Sequence, residues 1–133
     1  MSGYPKIPLR FLQQQFDTIY AGLTLLELAN SGSVPVSLHS GALVTNRGAS
    51  GAVVAALPSA ADLGTGLPSW PFRALSYALR IDPGTAENLR YSGGAMAAGE
   101  YLELAAESSC IVTWDGTEWI VTAETGTLTE ETP

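Results

Sequence analysis

Apolar and polar positions alternate most regularly near the carboxy-terminal end of the chain. In residues 109–122 an extended backbone puts Cys110, Val112, Trp114, Trp119 and Val121 on one side, and Thr113, Glu118 and Thr122 on the other with Ile111 and Ile120. Asp115-Gly116 accepts the positive φ of a two-residue turn, so the pattern predicts a tight hairpin. Its register pairs Trp114 with Thr117, Val112 with Trp119 and Cys110 with Val121. Two tryptophans on one side, each able to remove ~150–250 Å² from water, make this hairpin the expected folding anchor.

The same period of two recurs along the middle of the chain. Val34, Val36 and Leu38 alternate around Pro35 and predict a short strand confined to a sheet edge. Residues 42–46 and 52–57 flank Arg47-Gly48-Ala49-Ser50-Gly51 and read as a hairpin with a longer loop. Residues 58–71, rich in proline and glycine, read as loop. Trp70, the one large side chain there, either covers the core edge or stands exposed to a sugar or a protein partner. Residues 72–81 fit a helix by Phe72, Leu75 and Leu79, but Pro71, Pro83 and the aromatic content favour two strands kinked near Ser76. Residues 88–91 and 101–106 are short strands, and 124–133, alternating Thr, Gly and Glu, are an exposed tail.

The period changes at the amino terminus. Pro5 and Pro8 exclude a helix in residues 1–8 and favour an extended strap, whose Tyr4 and Ile7, with Leu9, call for a covering partner. From there Leu9, Leu12, Phe16, Ile19, Leu23 and Leu26 are spaced three and four apart, an a/d seam with Gln13-Gln14-Gln15 and Asp17-Thr18 off it. Such a seam suits three or more associated chains, and equally an amphipathic helix packed on its own domain. Gly22 costs the helix ~1 kcal/mol relative to alanine. If the helix ends there, residues 23–28 become a strand or buried connection, which accounts for Leu25 and Leu28. The expected fold is mainly β: an antiparallel β-sandwich or barrel-like domain over 31–123. An arm with a short helix over 1–30 precedes it, and an acidic flexible tail over 124–133 follows.

Composition adds an expectation of assembly. The 133 residues suffice for one domain and an arm, and with 46% apolar and only 14% charged residues part of the surface is expected to be buried against other subunits. The net charge of −7 lies at one end: residues 100–133 hold Glu100, Glu103, Glu107, Asp115, Glu118, Glu124, Glu130 and Glu131 and no base. That end repels nucleic acid and anionic membranes, so neither is an expected partner, and it serves as a solvated face or a cation site. Cys110, the sole cysteine, forms no intrachain disulfide and reads as a small core residue. The start of the chain lacks a signal-peptide pattern and no ~20-residue apolar span occurs, so a soluble protein made in the cytosol is expected.

Candidate chemistry is sparse. His39 has no ligand partner at metal spacing, and the glycines near Gly48 lack the Lys-Ser/Thr pair of a phosphate loop, so no metal or cofactor is expected. No acid lies near His39 for a triad, and Glu100 and Glu103 fall on opposite sides of a strand, which sets aside a glycosidase pair. An enzyme is not expected.

Val44-Thr45-Asn46-Arg47-Gly48-Ala49-Ser50-Gly51, Leu57-Pro58-Ser59-Ala60-Ala61, Leu79-Arg80-Ile81-Asp82-Pro83, Gly99-Glu100-Tyr101-Leu102 and Gly116-Thr117-Glu118-Trp119 together resemble a module of tailed-bacteriophage structural proteins. That module occurs among head decoration, head fibre and related virion proteins. The resemblance spans about residues 40–122, its motifs are turns and strand ends, and it brings no binding residue with it. It implies a β-rich, trimeric virion component without enzymatic activity. The expectation is a capsid decoration (cement) or head-fibre protein, made in the host cytoplasm and carried on the outer capsid surface. Such a homo-trimer attaches to the major capsid protein through Tyr4, Pro5, Ile7, Pro8 and Leu9 and joins its copies through Leu12, Phe16, Ile19, Leu23 and Leu26. The alternatives are a receptor- or glycan-binding module of a tail fibre, with Trp70, Tyr77 or Tyr91 stacking on sugar, and a tail or baseplate component.

Overall fold

Short strands alternating between two sheets organise the chain. In the computed structural model, which describes residues 24–92 and 94–132, β1 (Leu25–Glu27), β3 (Leu43–Thr45) and β5 (Ser69–Arg73) stack in parallel in one sheet. β2 (Gly32–Ser33), β4 (Val53–Ala56) and β6 (Leu79–Asp82) stack in parallel in a second. Parallel neighbours cannot be joined by a tight turn, so each connection crosses to the other sheet and the chain winds as a coil. One circuit runs from Leu25 to its neighbour Leu43, and the next from Val44 to Phe72.

Antiparallel strands complete both sheets. β10 (Ser109–Trp114) lies against β5 and β11 (Trp119–Thr125) against β10. With β7 (Leu89–Tyr91) and β8 (Gly94–Ala95) they make a seven-stranded sheet ordered β1-β3-β5-β10-β11-β7-β8. β9 (Tyr101–Leu104) lies against β6, and β12 (Leu128–Glu131) against β9, giving a five-stranded sheet β12-β9-β6-β4-β2.

Alternation within these strands builds one core from both sheets. Val44, Trp70, Phe72, Cys110, Val112, Trp114, Trp119 and Val121 face in from the larger sheet, and Val53, Ala55, Leu79, Ile81, Leu102 and Leu104 from the smaller. Trp119 sits between Trp70 and Trp114, with ring centroids 5.9 and 5.3 Å away. Fully burying one such indole contributes roughly 4–6 kcal/mol at ~25 cal/mol per Å², an upper bound because the unfolded chain already shields some of it.

The protein is mainly β, as its alternation predicts, but its sheets are mixed and not those of an antiparallel sandwich. Residues 42–46 and 52–57 are not a hairpin: β3 and β4 belong to different sheets, and Arg47–Gly51 carries the chain between them. Val36 and Leu38 lie in a turn region, with only Val34 and Leu38 buried. Residues 72–81 are two strands, as expected, and they too lie in different sheets. The loop expected over 58–71 ends earlier, because Ser69, Trp70 and Pro71 belong to β5, and it contains a one-turn helix, Ala60–Leu63, whose first turn is capped by Ser59 Oγ accepting from the Asp62 N–H. At the anchor hairpin the predicted faces hold but the pairing is two residues out: Trp114 pairs with Trp119 and Val112 with Val121. The Asp115 carboxylate accepts from the N–H groups of both Thr117 and Glu118, which widens the turn and brings the two indoles opposite each other. The acidic tail is corrected more fully. Residues up to Thr125 extend β11, and β12 hydrogen-bonds to β9, so this segment is a sheet edge and part of the domain. The boundary near residue 30 moves likewise, since β1 belongs to the larger sheet.

Candidate interaction surface

Ion pairs lie on both sheets, and the larger one also carries an outward row of uncharged side chains. On the smaller sheet the outward positions Arg80 and Glu103 are register neighbours and form an ion pair at 3.1 Å, and the Arg80 guanidinium also lies 5.4 Å from the centre of the Tyr101 ring. Its hydrogen bond to Glu103 holds the Arg80 pKa above the ordinary value. On this face Arg80 and Glu103 therefore neutralise each other.

On the larger sheet the register aligns Leu25, Leu43, Pro71, Ile111 and Thr122, one from each of β1, β3, β5, β10 and β11. Each sits one position from an inward neighbour, so all five point away from the core. Leu25 is 44% and Leu43 38% exposed, Pro71 and Ile111 are half-buried, and none is charged. Pro71 has no N–H to give, and β3 pairs with β5 only from Phe72 onward, which accommodates a proline inside the sheet. The register between β10 and β11 shifts between Ser109 and Ile111, and Ala123 opposite adopts φ 52°. Here Leu43, Pro71, Ile111 and Ala123 line a shallow trough of about 360 Å³. Arg73 stands at its rim, tied to Glu107 at 2.8 Å.

A second apolar exposure lies on the flank beside the Ala60–Leu63 turn. Val36 and Leu67, 53% and 61% exposed, border a concavity of about 430 Å³ with Leu38, Leu63, Pro68 and Asp62.

The residues singled out by sequence are distributed unevenly over these surfaces. Trp70 is fully buried and its Nε1 donates to the His39 carbonyl at 3.2 Å, so it covers the core and is closed to a sugar. The Tyr91 hydroxyl donates to the Leu128 carbonyl at 3.0 Å, whereas Tyr77 is exposed. Glu100 accepts from the Ala97 N–H, Glu103 from Arg80 and Glu107 from Arg73, so the three carboxylates serve separate partners. No group of three His, Cys, Asp or Glu placed to hold a metal occurs among the described residues. His39 Nδ1 lies 2.6 Å from the Ser40 carbonyl at an exposed turn. Cys110 is buried and burial pushes its thiol up to about 12. Of the seam, only Leu26 is described: it sits in β1, half-buried against the domain's own core, and is therefore corrected from a helical seam position to a strand residue. Tyr4, Pro5, Ile7, Pro8, Leu9, Leu12, Phe16, Ile19 and Leu23, with the strap and helix they define, lie outside the described residues.

Asn46 is a structural residue that sequence reasoning missed. Buried at the end of β3, it accepts from the Leu75 N–H at 2.8 Å and donates to the Tyr77 carbonyl at 2.8 Å. It thereby ties the crossover after β3 to the crossover after β5. An asparagine directly after a strand and before Arg-Gly is the signal that could have marked it.

No family model, curated protein or solved structure matches the chain. No helix among the described residues is long and apolar enough to cross a membrane.

Proposed function

We propose that the chain is a non-enzymatic structural component of a virion, of the head decoration or head-fibre type, that attaches to the outer capsid surface as a trimer. The observation that carries this reading is the exposed apolar surface. The larger sheet carries an outward row of uncharged side chains between its charged positions, and Val36 and Leu67 stand exposed on the flank, apolar surface that a solitary domain gains nothing by exposing. The motif resemblance over residues 40–122 points the same way. In this reading the strap with Tyr4, Pro5, Ile7, Pro8 and Leu9 contacts the major capsid protein, and copies meet through the Val36–Leu67 flank. The acid-rich carboxy-terminal third faces solvent. Three linked straps convert individually weak contacts into firm attachment through effective concentration.

The test uses purified chain and heads built from the major capsid protein encoded alongside it. Deleting residues 1–8 is expected to abolish co-sedimentation with heads while the tryptophan near-UV signal of the body stays unchanged; undiminished co-sedimentation overturns the attachment role. Leu67→Lys is expected to reduce the native mass from trimer to monomer, and a wild-type chain that is already monomeric overturns the trimer.

A further inference from the structure

The arginines of the body are not all used alike. Arg73, Arg80 and Arg90 are ion-paired to Glu107, Glu103 and Glu118, whereas the Arg47 guanidinium is exposed and has no carboxylate partner among the described residues, although the chain carries a net charge of −7. It borders a concavity of about 260 Å³ with Asn46, Leu75, Ser76, Tyr77 and Glu107. We propose that this concavity binds the terminal unit of a carboxylate-bearing saccharide, with Arg47 pairing with the carboxylate and Tyr77 stacking on the sugar ring. The proposal goes beyond the virion reading and requires neither the capsid nor the trimer.

Three crossovers build the concavity. The one after β3 turns at Asn46-Arg47-Gly48-Ala49, where the Ala49 N–H donates to the Asn46 carbonyl at 3.1 Å and Gly48 takes φ 86°, the positive value a type II turn needs at its third residue. Arg47 therefore stands at the corner of the turn. The crossover after β5 carries Ser76 and Tyr77, and the one before β10 carries Glu107. Asn46 ties the first to the second, accepting from the Leu75 N–H and donating to the Tyr77 carbonyl, both at 2.8 Å. The residue that precedes Arg47 thus holds the backbone of Tyr77, and the two stations are set relative to each other before a ligand arrives. On the third side the Glu107 N–H donates to the Ala74 carbonyl at 3.0 Å and its carboxylate accepts from Arg73 at 2.8 Å.

The charge inventory selects the ligand. A guanidinium pairs bidentately with a planar carboxylate, and one free guanidinium beside the Glu107 carboxylate answers a single negative charge. A phosphate dianion or a nucleic-acid backbone calls for several free bases, and Arg47 is the one arginine without an ion pair among the described residues. Tyr77 is 43% exposed and supplies a ring with an apolar face and a polar tip, which suits the face of a sugar. The Ser76 hydroxyl and the Arg73–Glu107 pair supply hydrogen-bonding groups for ring hydroxyls. An acidic peptide side chain has the carboxylate but neither the flat ring nor those hydroxyls. The volume lies just under the ~300–1,000 Å³ of sites that enclose drug-sized molecules, so the concavity takes one unit at a chain end. One charge pair and one stacked ring give about millimolar affinity, which repeated copies on a surface raise to firm attachment.

The test titrates the methyl glycosides of glucuronic, galacturonic and N-acetylneuraminic acid into isotope-labelled full-length chain, with methyl glucoside, acetate and a glutamyl-glutamate peptide as comparisons. At least one acidic sugar is expected to shift the amide resonances of Arg47 and Tyr77 with half-saturation at about 1 mM, and methyl glucoside is expected to leave them in place. Arg47→Gln and Tyr77→Ala, both at exposed positions, are each expected to weaken that binding at least about tenfold with the near-UV spectrum unchanged. Absence of a saturable shift with all three acidic sugars up to about 20 mM overturns the proposal. So does binding that either variant leaves unchanged. Acetate that binds as tightly as the sugars would make this an unselective anion site, and binding of the peptide without the sugars would assign it to a protein partner; each overturns the saccharide. A native mass that falls in Arg47→Gln while the parent binds no sugar would assign Arg47 to a second copy and overturn it as well.

Discussion

Replacing Asn46 tests how one circuit of the coil is fastened to the next. The side chain makes two bonds of 2.8 Å, to the Leu75 N–H and the Tyr77 carbonyl, and a longer one of 3.4 Å to the Ala78 carbonyl. Asn46→Ala removes all three; the Leu75 N–H and the Tyr77 carbonyl lose this partner, while the Ala78 carbonyl still accepts from the Val53 N–H. Each such group costs about 1–3 kcal/mol when sealed from water. These border a concavity open to solvent beside Arg47 and Ser76, so the low end applies and the sum is about 2–3 kcal/mol. At about 4–6 °C per kcal/mol for a domain of this size, Tm should fall by roughly 10–15 °C. Urea unfolding followed by fluorescence of the buried tryptophans reads the same loss as a lower midpoint with unchanged slope. Asn46→Asp sharpens the test because it keeps the acceptor for Leu75 and turns the donor into a carboxylate oxygen facing two carbonyls. The introduced carboxyl is disfavoured when charged, so its pKa in the folded state rises above the ~3.9 of the unfolded chain. The stability it allows is therefore present below about pH 4 and lost as pH rises through the folded value, so its deficit against the parent should be larger at pH 7 than at pH 4. An Asn46→Ala protein within about 0.5 kcal/mol of the parent, or an Asn46→Asp deficit equal at both pH values, would refute the fastening role.

Three further outcomes follow from packing and burial. Gly126 has φ 89°, and a methyl group there would collide with Ser108 Oγ and come within 2.9 Å of Ser108 Cα, so Gly126→Ala should cost more than about 2 kcal/mol by urea titration and detach β12 first in hydrogen exchange. Trp119 Nε1 is buried without a hydrogen-bond partner among the described residues while Trp70 Nε1 donates to the His39 carbonyl, so Trp119→Phe should be the milder of the two indole replacements in thermal melts; the reverse order would contradict that hydrogen-bond assignment. The Cys110 thiol is raised from 9.0 to about 12, so the unfolded chain ionises first and stability should drain away between those pH values, a fall that Cys110→Ala should flatten. Equal alkaline slopes for parent and variant would show that the thiol is not shielded.

What the sequence made legible was which residues face the core. Cys110, Val112, Trp114, Trp119 and Val121 all point inward as their alternation requires, and they do so even though the hairpin register is two residues out, because a shift of two preserves the face. Partner choice was not legible. Alternation in 42–46 and 52–57 reports half-buried strands, but nothing in a period of two distinguishes a neighbour across a turn from one a full circuit away. The acidic end misled for a related reason: β12 is held by backbone bonds to β9, to which Thr129 and Glu130 contribute whatever their side chains prefer. Leu25 and Leu28 did carry information, as the residues a helical seam could not explain: Leu28 is core and Leu25 heads the exposed row. That row was invisible in one dimension because its members come from five separate stretches of chain.

The winding of β1 to β6 also bears on how such a body could be lengthened. Every loop of the spiral adds one strand to each sheet and exits in the orientation in which it came in. Gaining or losing a whole loop by gene duplication or deletion would therefore stretch or shorten the molecule while leaving its leading segment and its closing antiparallel strands as they were. Spacing between an anchor at one end and whatever the other end displays would become an evolvable length, adjustable in fixed steps without redesigning either terminus.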